Sequence, residues 1–427
     1  MARTFNRSDA IVHACAGTAF LALIAKSTPR GAKPPAGVGK AQSVGSWDEE
    51  QHRARWHCEI EVASRSSGGV GAGRRDRRVC RRTSDSSTRL RTLLDQLVRE
   101  AAVPGAQLVL SRDGRHVQIT SGVADLVTGA AFPDGAQARI ASNTKTFVAS
   151  VVFQLVAEGR VELDAPVERY LPGVVSGPGG DGNRISVRNL LQHTSGIPDY
   201  LNRVNLDSVE ALTRQHSIGD LIRLGLDQPA AQAPGAGFEY SNTNYLLAGQ
   251  LVEKVTDSAI DVEVTRRIID PLGLRDTYWP RYPIEKVFRG PHPHAYFESG
   301  GGRVDITDID PNGGLPDGAM ISTGRDLNHF FIALLAGTVV PLDQLAQMQR
   351  TVADPDSPAQ VGSGLFGRVT ASGVQTWGHG GSIPGFYTAG GATRDRAVTI
   401  ILNQVPAESS PDIDDIVQAL VDEAMRP

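Results

Sequence analysis

The two ends of this chain carry the same pairing of an amphipathic helix with adjacent strands, and that symmetry restricts the fold more than any other feature. Near the start, Leu90, Leu93, Leu94, Leu97, Val98 and Ala101 recur at helical spacing and form one apolar stripe. Ala106 to Leu110 reads as a strand, Asp113-Gly114 as a turn, and Val117 to Thr120 as the returning strand of a hairpin. Near the end, Phe386 to Thr393 and Ala397 to Leu402 read as two strands joined by Arg394-Asp395-Arg396. Ile413, Ile416, Val417, Leu420, Val421 and Ala424 then form a second stripe. This pattern predicts one antiparallel sheet built from both chain ends and flanked by helices. Residues 155–310 are rich in helix patterns and loop punctuation, so they read as a mostly helical insertion. The fold class is α/β in the α+β sense, and no internal repeat is visible.

Residues 1–85 differ from the rest. Pro29, Gly31, Pro34, Pro35, Gly37 and Gly39 come first, and an Arg-rich run from Arg74 to Arg82 follows, without a lasting apolar period. The segment reads as a leader or disordered linker, and residues 86–427 as the functional domain. Ile11 to Ala25 is a short, mostly apolar stretch after Arg3 and Arg7, which resembles an export signal; Asp9, His13 and Thr18 dilute it. On that pattern the expected location is secreted or cell envelope. No run is apolar for long enough to predict an integral membrane span.

Composition removes several classes. The net charge is -4 and aromatics are 6%, so neither a basic field nor a stacking surface points to nucleic acid. The three cysteines, Cys15, Cys58 and Cys80, all precede residue 86. A cysteine nucleophile or a cysteine-ligated zinc in the main body is therefore excluded. His292 and His294 share H-x-H spacing, but Pro291 and Pro293 beside them favour a loop over a metal site. No metal and no cofactor is expected.

Three constellations carry chemistry. The first is Ser142-Asn143-Thr144-Lys145, followed by Val148, Val151, Val152, Leu155 and Val156 on one helix face. Ser142 would sit in the first turn, where the helix dipole favours developing negative charge. Lys145, three residues on, would stack above it. A desolvated lysine can lose its proton and serve as base for the hydroxyl. The plainer reading is an N-cap serine, and S-x-x-K arises by chance about once in a chain of this size.

The second is Tyr240-Ser241-Asn242, after the loop signals Pro234 and Gly235. In an extended loop, residues 240 and 242 point the same way. A phenol there could shuttle a proton, and an amide could hold a substrate carbonyl and the lysine. The plainer reading puts Tyr240 in the core and makes Asn242 or Asn244 a helix cap. The third is His379-Gly380-Gly381-Ser382. Glycines on a strand admit a close approach, the Ser382 N–H could complete an oxyanion hole with that of Ser142, and His379 could bring a positive or hydrogen-bonding group toward Tyr240. The plainer reading is a glycine-rich bulge with a surface histidine.

Taken together, the order and spacing of the three resemble the serine β-lactamase and penicillin-binding superfamily, whose lysine motif has S-D-N and K-T-G partners. Here the partners are Tyr240-x-Asn242 and His379-x-Gly381, as in the class C-like branch. The resemblance covers residues 88–425 and includes the stretches Leu155 to Val167 and Ile185 to Ile197. Within the branch the chain is most similar to the secreted D-alanyl-D-alanine carboxypeptidases of actinomycetes. The resemblance implies a β-lactamase/transpeptidase-like fold and an acyl-enzyme on Ser142. It implies that Lys145 and Tyr240 move protons, that Asn242 orients the substrate amide, and that Ser142 and Ser382 N–H groups hold the oxyanion. The expected partners are D-Ala-D-Ala peptides, β-lactams or esters.

Two departures bear on substrate. Gly380 lacks the hydroxyl common in the middle of the third triplet. Phe366 follows Gly364-Leu365 where such carboxypeptidases carry a carboxylate-binding arginine. Arg368, two residues on, keeps the same strand facing and could substitute. The expectation is a D-alanyl-D-alanine carboxypeptidase or related D-peptidase, with Gly380, Gly381, Ser382 and Arg368 binding substrate. An esterase or β-lactamase on the same scaffold is the alternative. A non-hydrolytic penicillin sensor fits poorly with the intact Ser142, Lys145, Tyr240 and Asn242.

Overall fold

The structure, a computed structural model, describes residues 75–426 other than 286, 356, 408, 409, 411 and 412. The export-like stretch and most of the segment read as linker lie outside the described residues. The first element among the described residues is helix α1 (Arg75–Glu100), so the helix expected from about Thr88 starts further upstream, inside the segment read as linker. The hairpin β1 (Gly105–Arg112) and β2 (Arg115–Gly122) follows, then the short β3 (Gln137–Arg139) and helix α2 (Thr144–Ala157). A helical stretch comes next: α3 (Val187–Leu191), α4 (Val209–Leu212), α5 (Ile218–Leu226), α6 (Thr243–Thr256), α7 (Ile260–Val264) and α8 (Asp270–Leu272). The hairpin β4 (Tyr296–Ser299) and β5 (Gly302–Asp305) precedes β6 (Ile321–Thr323), α9 (Gly324–Leu335) and α10 (Leu342–Met348). The rest is β7 (Val352–Ala353), β8 (Gln360–Val361), β9 (Phe366–Val369), β10 (Gln375–Gly378), β11 (Gly381–Ile383), β12 (Phe386–Ala392), β13 (Arg396–Leu402) and α11 (Ile413–Ala424).

The main sheet has the order β2-β1-β13-β12-β10-β9-β8-β7, with β11 on β12. The strands from the two halves of the chain meet toward one side of this sheet, where β1 pairs antiparallel with β13 from Ala106↔Leu402 to Arg112↔Arg396. Asp113 and Gly114 both have positive φ (52° and 72°), the backbone a two-residue hairpin turn demands. Side chains alternate across the sheet. Val398, Ile400 and Leu402 of β13, with Ala106 and Leu108 of β1, pack under Leu90, Leu94 and Leu97 of α1 and Ile416 and Leu420 of α11. Val109 faces the other way, so close to α9 that a Cβ on Gly324 would lie 2.7 Å from its Cγ2. Both faces of the central strands are therefore buried.

A second core joins α2 to α3, α5, α6, α9 and α10. The residues of α2 from Thr144 to Phe153 are all buried, which places this helix in the interior. Phe147 stacks on Phe330 of α9 at 3.7 Å and 12°. The helical part is thus not bounded by 155–310: α9 and α10 share its core, and the β4–β5 hairpin falls inside the range. Helical period marks each segment as a helix, but it does not say which helices pack together.

Candidate active site

The chain enters α2 through a 3₁₀ turn at Ala141–Asn143, and Ser142 is the middle of that turn. Ala141 has φ 47°, a strained conformation for a residue with a Cβ. The surroundings hold it there. Asn143 Nδ2 donates to the Ile140 carbonyl (2.9 Å) and to Thr388 Oγ1 of β12 (2.8 Å), and the Met320 N–H donates to Thr144 Oγ1 (3.1 Å). Strand β11 lies against the same turn. A Cβ on Gly381 would sit 2.3 Å from the Ile140 carbonyl oxygen, so only glycine lets the two backbones approach this closely.

Lys145 is in the first turn of α2 and fully buried. Its Nζ donates to Ser142 Oγ (2.9 Å) and to the Asp317 carbonyl (2.6 Å). Tyr240, also buried, donates its hydroxyl to Ser142 Oγ (3.1 Å). Two proton-bearing groups therefore converge on one serine oxygen. Asn242 sits in helical conformation at the entry to α6, not in an extended loop, and caps nothing with its side chain. Its backbone N–H and its Nδ2 both donate to Asp199 Oδ2 (3.2 and 2.7 Å).

His379 follows β10, with its ring edge-on to Phe366 at 4.9 Å. Its Nδ1 is 2.6 Å from the Gly380 carbonyl, which can only accept. Nδ1 thus carries the proton, and Nε2 is buried without a hydrogen-bond partner. Burial, and after it the Lys145 charge, push the imidazole down to about 3. His379 is neutral at ordinary pH, so of the two roles the sequence left open, the positive charge is corrected and hydrogen bonding is what the ring has left. Gly380 is exposed, and the Ser382 side chain is buried with its Oγ unpartnered.

Ser142 and Ser382 both border two cavities. One, of about 910 Å³, has a mixed lining that includes Tyr200, Asn242, Asn312 and Asp317 beside Leu206 and Ile383. The other, of about 110 Å³, is a narrow slot bordered by Tyr240, Phe366, Arg368, Trp377, His379 and Tyr387. The slot exists because β10 pairs with β12 only at Trp377↔Ala392, while β11 takes over the pairing at Gly381↔Thr388. Between those points the sheet opens, and the slot reaches Val417 and Gln418 of α11. Arg368 is brought into it, but Arg368 Nη1 donates to Gln418 Oε1 (3.2 Å). His292 and His294 are elsewhere, with His294 Nδ1 bonded to Asp305 Oδ2 (2.5 Å). Among the described residues no cluster of three or more His, Cys, Asp or Glu is placed to hold a metal, and no helix is long and apolar enough to cross a membrane.

A buried polar layer that no sequence motif marks lies behind these residues. Tyr200 donates its hydroxyl to Asp317 Oδ2 (2.8 Å). Asp199 is pushed up to about 6 by burial, against hydrogen bonds from the Leu201 and Asn242 N–H groups and Asn242 Nδ2 that lower it; the Asp317 charge adds to the rise. His193 stacks on the Tyr240 ring at 4.2 Å and 21°. Its only sequence signal was the His193-Thr194-Ser195-Gly196 stretch, to which no chemistry could be attached.

The model of the family described as Beta-lactamase matches residues 90–423. A solved D-stereospecific amidohydrolase from Streptomyces sp. aligns with a TM-score of 0.69 at 34% identity, over 76% of this chain and 97% of that one. A D-amino acid amidase from Ochrobactrum anthropi SV3 aligns at 0.68 and 27% identity, over 80% and 100%. Esterase EstB of Burkholderia gladioli is 32% identical over 202 residues, 44% of this chain and 50% of EstB. The chain spans about half the length of the curated relatives it matches.

Proposed function

From the premise that the chain belongs to the beta-lactamase family, we propose that it is a serine-type hydrolase that cleaves amide bonds of D-configured amino-acid residues through an acyl-enzyme on Ser142. The observation that carries this reading is the double hydrogen bond to Ser142 Oγ from Lys145 and Tyr240, at the junction of two cavities. Ser142 Oγ attacks the scissile carbonyl while its proton passes to the Lys145–Tyr240 pair. The same pair returns a proton to the leaving nitrogen, and water then hydrolyses the ester. The backbone N–H groups of Ser142 and Ser382 face the developing oxyanion. Asn242, oriented by Asp199, holds the substrate amide. The preference for D-residues follows from likeness to the amidohydrolase and the amidase. Whether a D-Ala-D-Ala peptide, with its free carboxylate, is also a substrate turns on Arg368.

An esterase is the second reading, favoured by the likeness to EstB and by Phe366 and Gly380. Export guided by Ile11 to Ala25 belongs to the same proposal, and cell fractionation tests it. The test of the reaction is turnover of D- and L-phenylalanine amide, a D-Ala-D-Ala peptide and a short-chain nitrophenyl ester, with Ser142→Ala alongside. Cleavage of D-amide or D-peptide bonds, lost in Ser142→Ala, supports the proposal. Ester turnover alone moves the assignment to the esterase. Activity surviving in Ser142→Ala overturns both.

A further inference from the structure

His193 holds Tyr240 from three directions. Its carbonyl accepts the Glu239 N–H (2.8 Å), its Nδ1 accepts the Ser241 N–H (3.2 Å), and its ring lies parallel to the Tyr240 ring at 4.2 Å. The residues on both sides of Tyr240 are thus bonded to the one imidazole-bearing residue that also packs its ring. Nothing local requires this arrangement. His193 has φ 53°, a left-handed conformation that costs energy for a side chain of this size, and it is 1% exposed. Its own site is fixed in turn by neighbours: the Tyr245 hydroxyl donates to the Leu191 carbonyl (2.9 Å), and Asn244 Nδ2 approaches Nδ1 at 3.4 Å.

We propose that His193 is the positioning residue of Tyr240 and acts as a neutral imidazole whose Nδ1 lone pair receives the Ser241 N–H. This role rests on the hydrolase reading above. Tyr240 must reach Ser142 Oγ from a loop, since α6 starts only at Thr243. Loops hold side chains less firmly than helices, so a phenol that must meet a serine oxygen within a few tenths of an ångström needs an external clamp. Because Nδ1 is an acceptor, Nε2 carries the hydrogen; it is buried and without a hydrogen-bond partner. Protonation would turn Nδ1 from acceptor to donor, facing the Ser241 N–H. The groups around the ring oppose that change: burial, and after it the Lys145 charge from α2, lower its proton affinity and outweigh the Ser241 hydrogen bond that raises it.

The test is a double-mutant cycle read as the rate of Ser142 labelling by a fluorophosphonate, which needs no knowledge of the natural substrate. His193→Asn keeps an acceptor and tolerates positive φ but removes the ring. His193→Phe keeps the ring but removes the acceptor. Each is combined with Tyr240→Phe, and thermal unfolding identifies any variant that fails to fold. The expected result is a loss of at least about tenfold for each change in the wild-type background and less than about threefold in Tyr240→Phe. Equal losses in both backgrounds, or no loss in either, overturn the role. If one variant does not fold, the other decides. Wild-type labelling at Ser142 separates the two ideas: without it the hydrolase reading falls and this role with it, whereas with it an additive cycle sinks only the His193 role.

Discussion

Tyr240 donates its hydroxyl to Ser142 Oγ at 3.1 Å, across 98 residues of sequence. The bond spans the boundary between the helix that carries the nucleophile and the loop that enters α6. It shares its acceptor with Lys145, so a proton can pass between the two residues through the serine oxygen. Tyr240→Phe keeps the ring that His193 packs and removes only the hydroxyl. The expected outcome is a fall in acylation rate of about 100-fold or more, at the general acid–base scale, with the unfolding midpoint nearly unchanged. Lys145→Met should lower the rate at least as far. Fluorophosphonate labelling followed by intact mass reads both, and wild-type rates in either variant would remove that residue from the reaction.

Gly381 makes a sharper structural prediction. A methyl group there meets a backbone oxygen, Ile140 O, at 2.3 Å, and Thr388 Oγ1 at 2.6 Å. Backbone cannot rotate away as a side chain can. Gly381→Ala should therefore push β11 from the nucleophile turn, destabilising the protein by about 1–3 kcal/mol and lowering acylation more than Gly373→Ala, a turn glycine with nothing within 4 Å of its Cβ position. Equal rates for the two variants would show that β11 need not touch the turn.

Asp199 predicts a pH effect of definite sign. Burial lifts its carboxyl to about 6, above the ordinary value of about 3.9 in an unfolded chain. Between about pH 4 and 6 the unfolded state has lost this proton while the folded state keeps it. Stability from this group is present below that window and is lost as pH rises through it, by about 3 kcal/mol at most. The buried His193 and His379 act in the opposite sense, because both are lowered by burial and the unfolded chain protonates first as pH falls. The difference between Asp199→Asn and wild type isolates the carboxylate. Denaturant unfolding should show Asp199→Asn gaining on wild type as pH rises from 4 to 6. A constant difference would mean that the carboxyl titrates normally.

The parts of this molecule that the sequence exposed are those whose signal is local. The apolar run of β13 and period 3.6 in α11 are both local: β13 is buried along nearly its whole length between two layers, and α11 packs one face on the sheet. Ser142 with Lys145 and Tyr240 with Asn242 are pairs within one helical turn or one loop. Asp199, Asp317 and His193 gave no such signal. Each acts through a partner far along the chain: Tyr200 reaches Asp317 over 117 residues, and Ser241 reaches His193 over 48. Asp199 is close in sequence to nothing catalytic, yet it accepts from the backbone N–H and from Nδ2 of Asn242. The extent of the helical core escaped for the same reason, since Phe147 of α2 finds its stacking partner in α9.

Under the proposed function, Arg368 is the residue on which a choice between amide and carboxypeptide substrates would turn. It lies on β9 where the strand borders the slot, and one nitrogen is spent on Gln418 of α11. A guanidinium has five donors, so that bond leaves others for a carboxylate. The neutral His379 at the Ser142 end offers a carboxylate no charge, which makes Arg368 the cation bordering the slot. If a free C-terminal carboxylate enters the slot, Arg368→Ala should raise KM for a D-Ala-D-Ala peptide about tenfold or more, the scale of one lost charge-assisted bond. The same peptide with an amidated C-terminus should be unaffected. Gln418→Ala, which frees the guanidinium, should lower KM for the carboxylate form alone. Equal KM values for both peptides in wild type and Arg368→Ala would confine Arg368 to tying β9 to α11, and the enzyme would then be an amidase that reads nothing beyond the scissile bond.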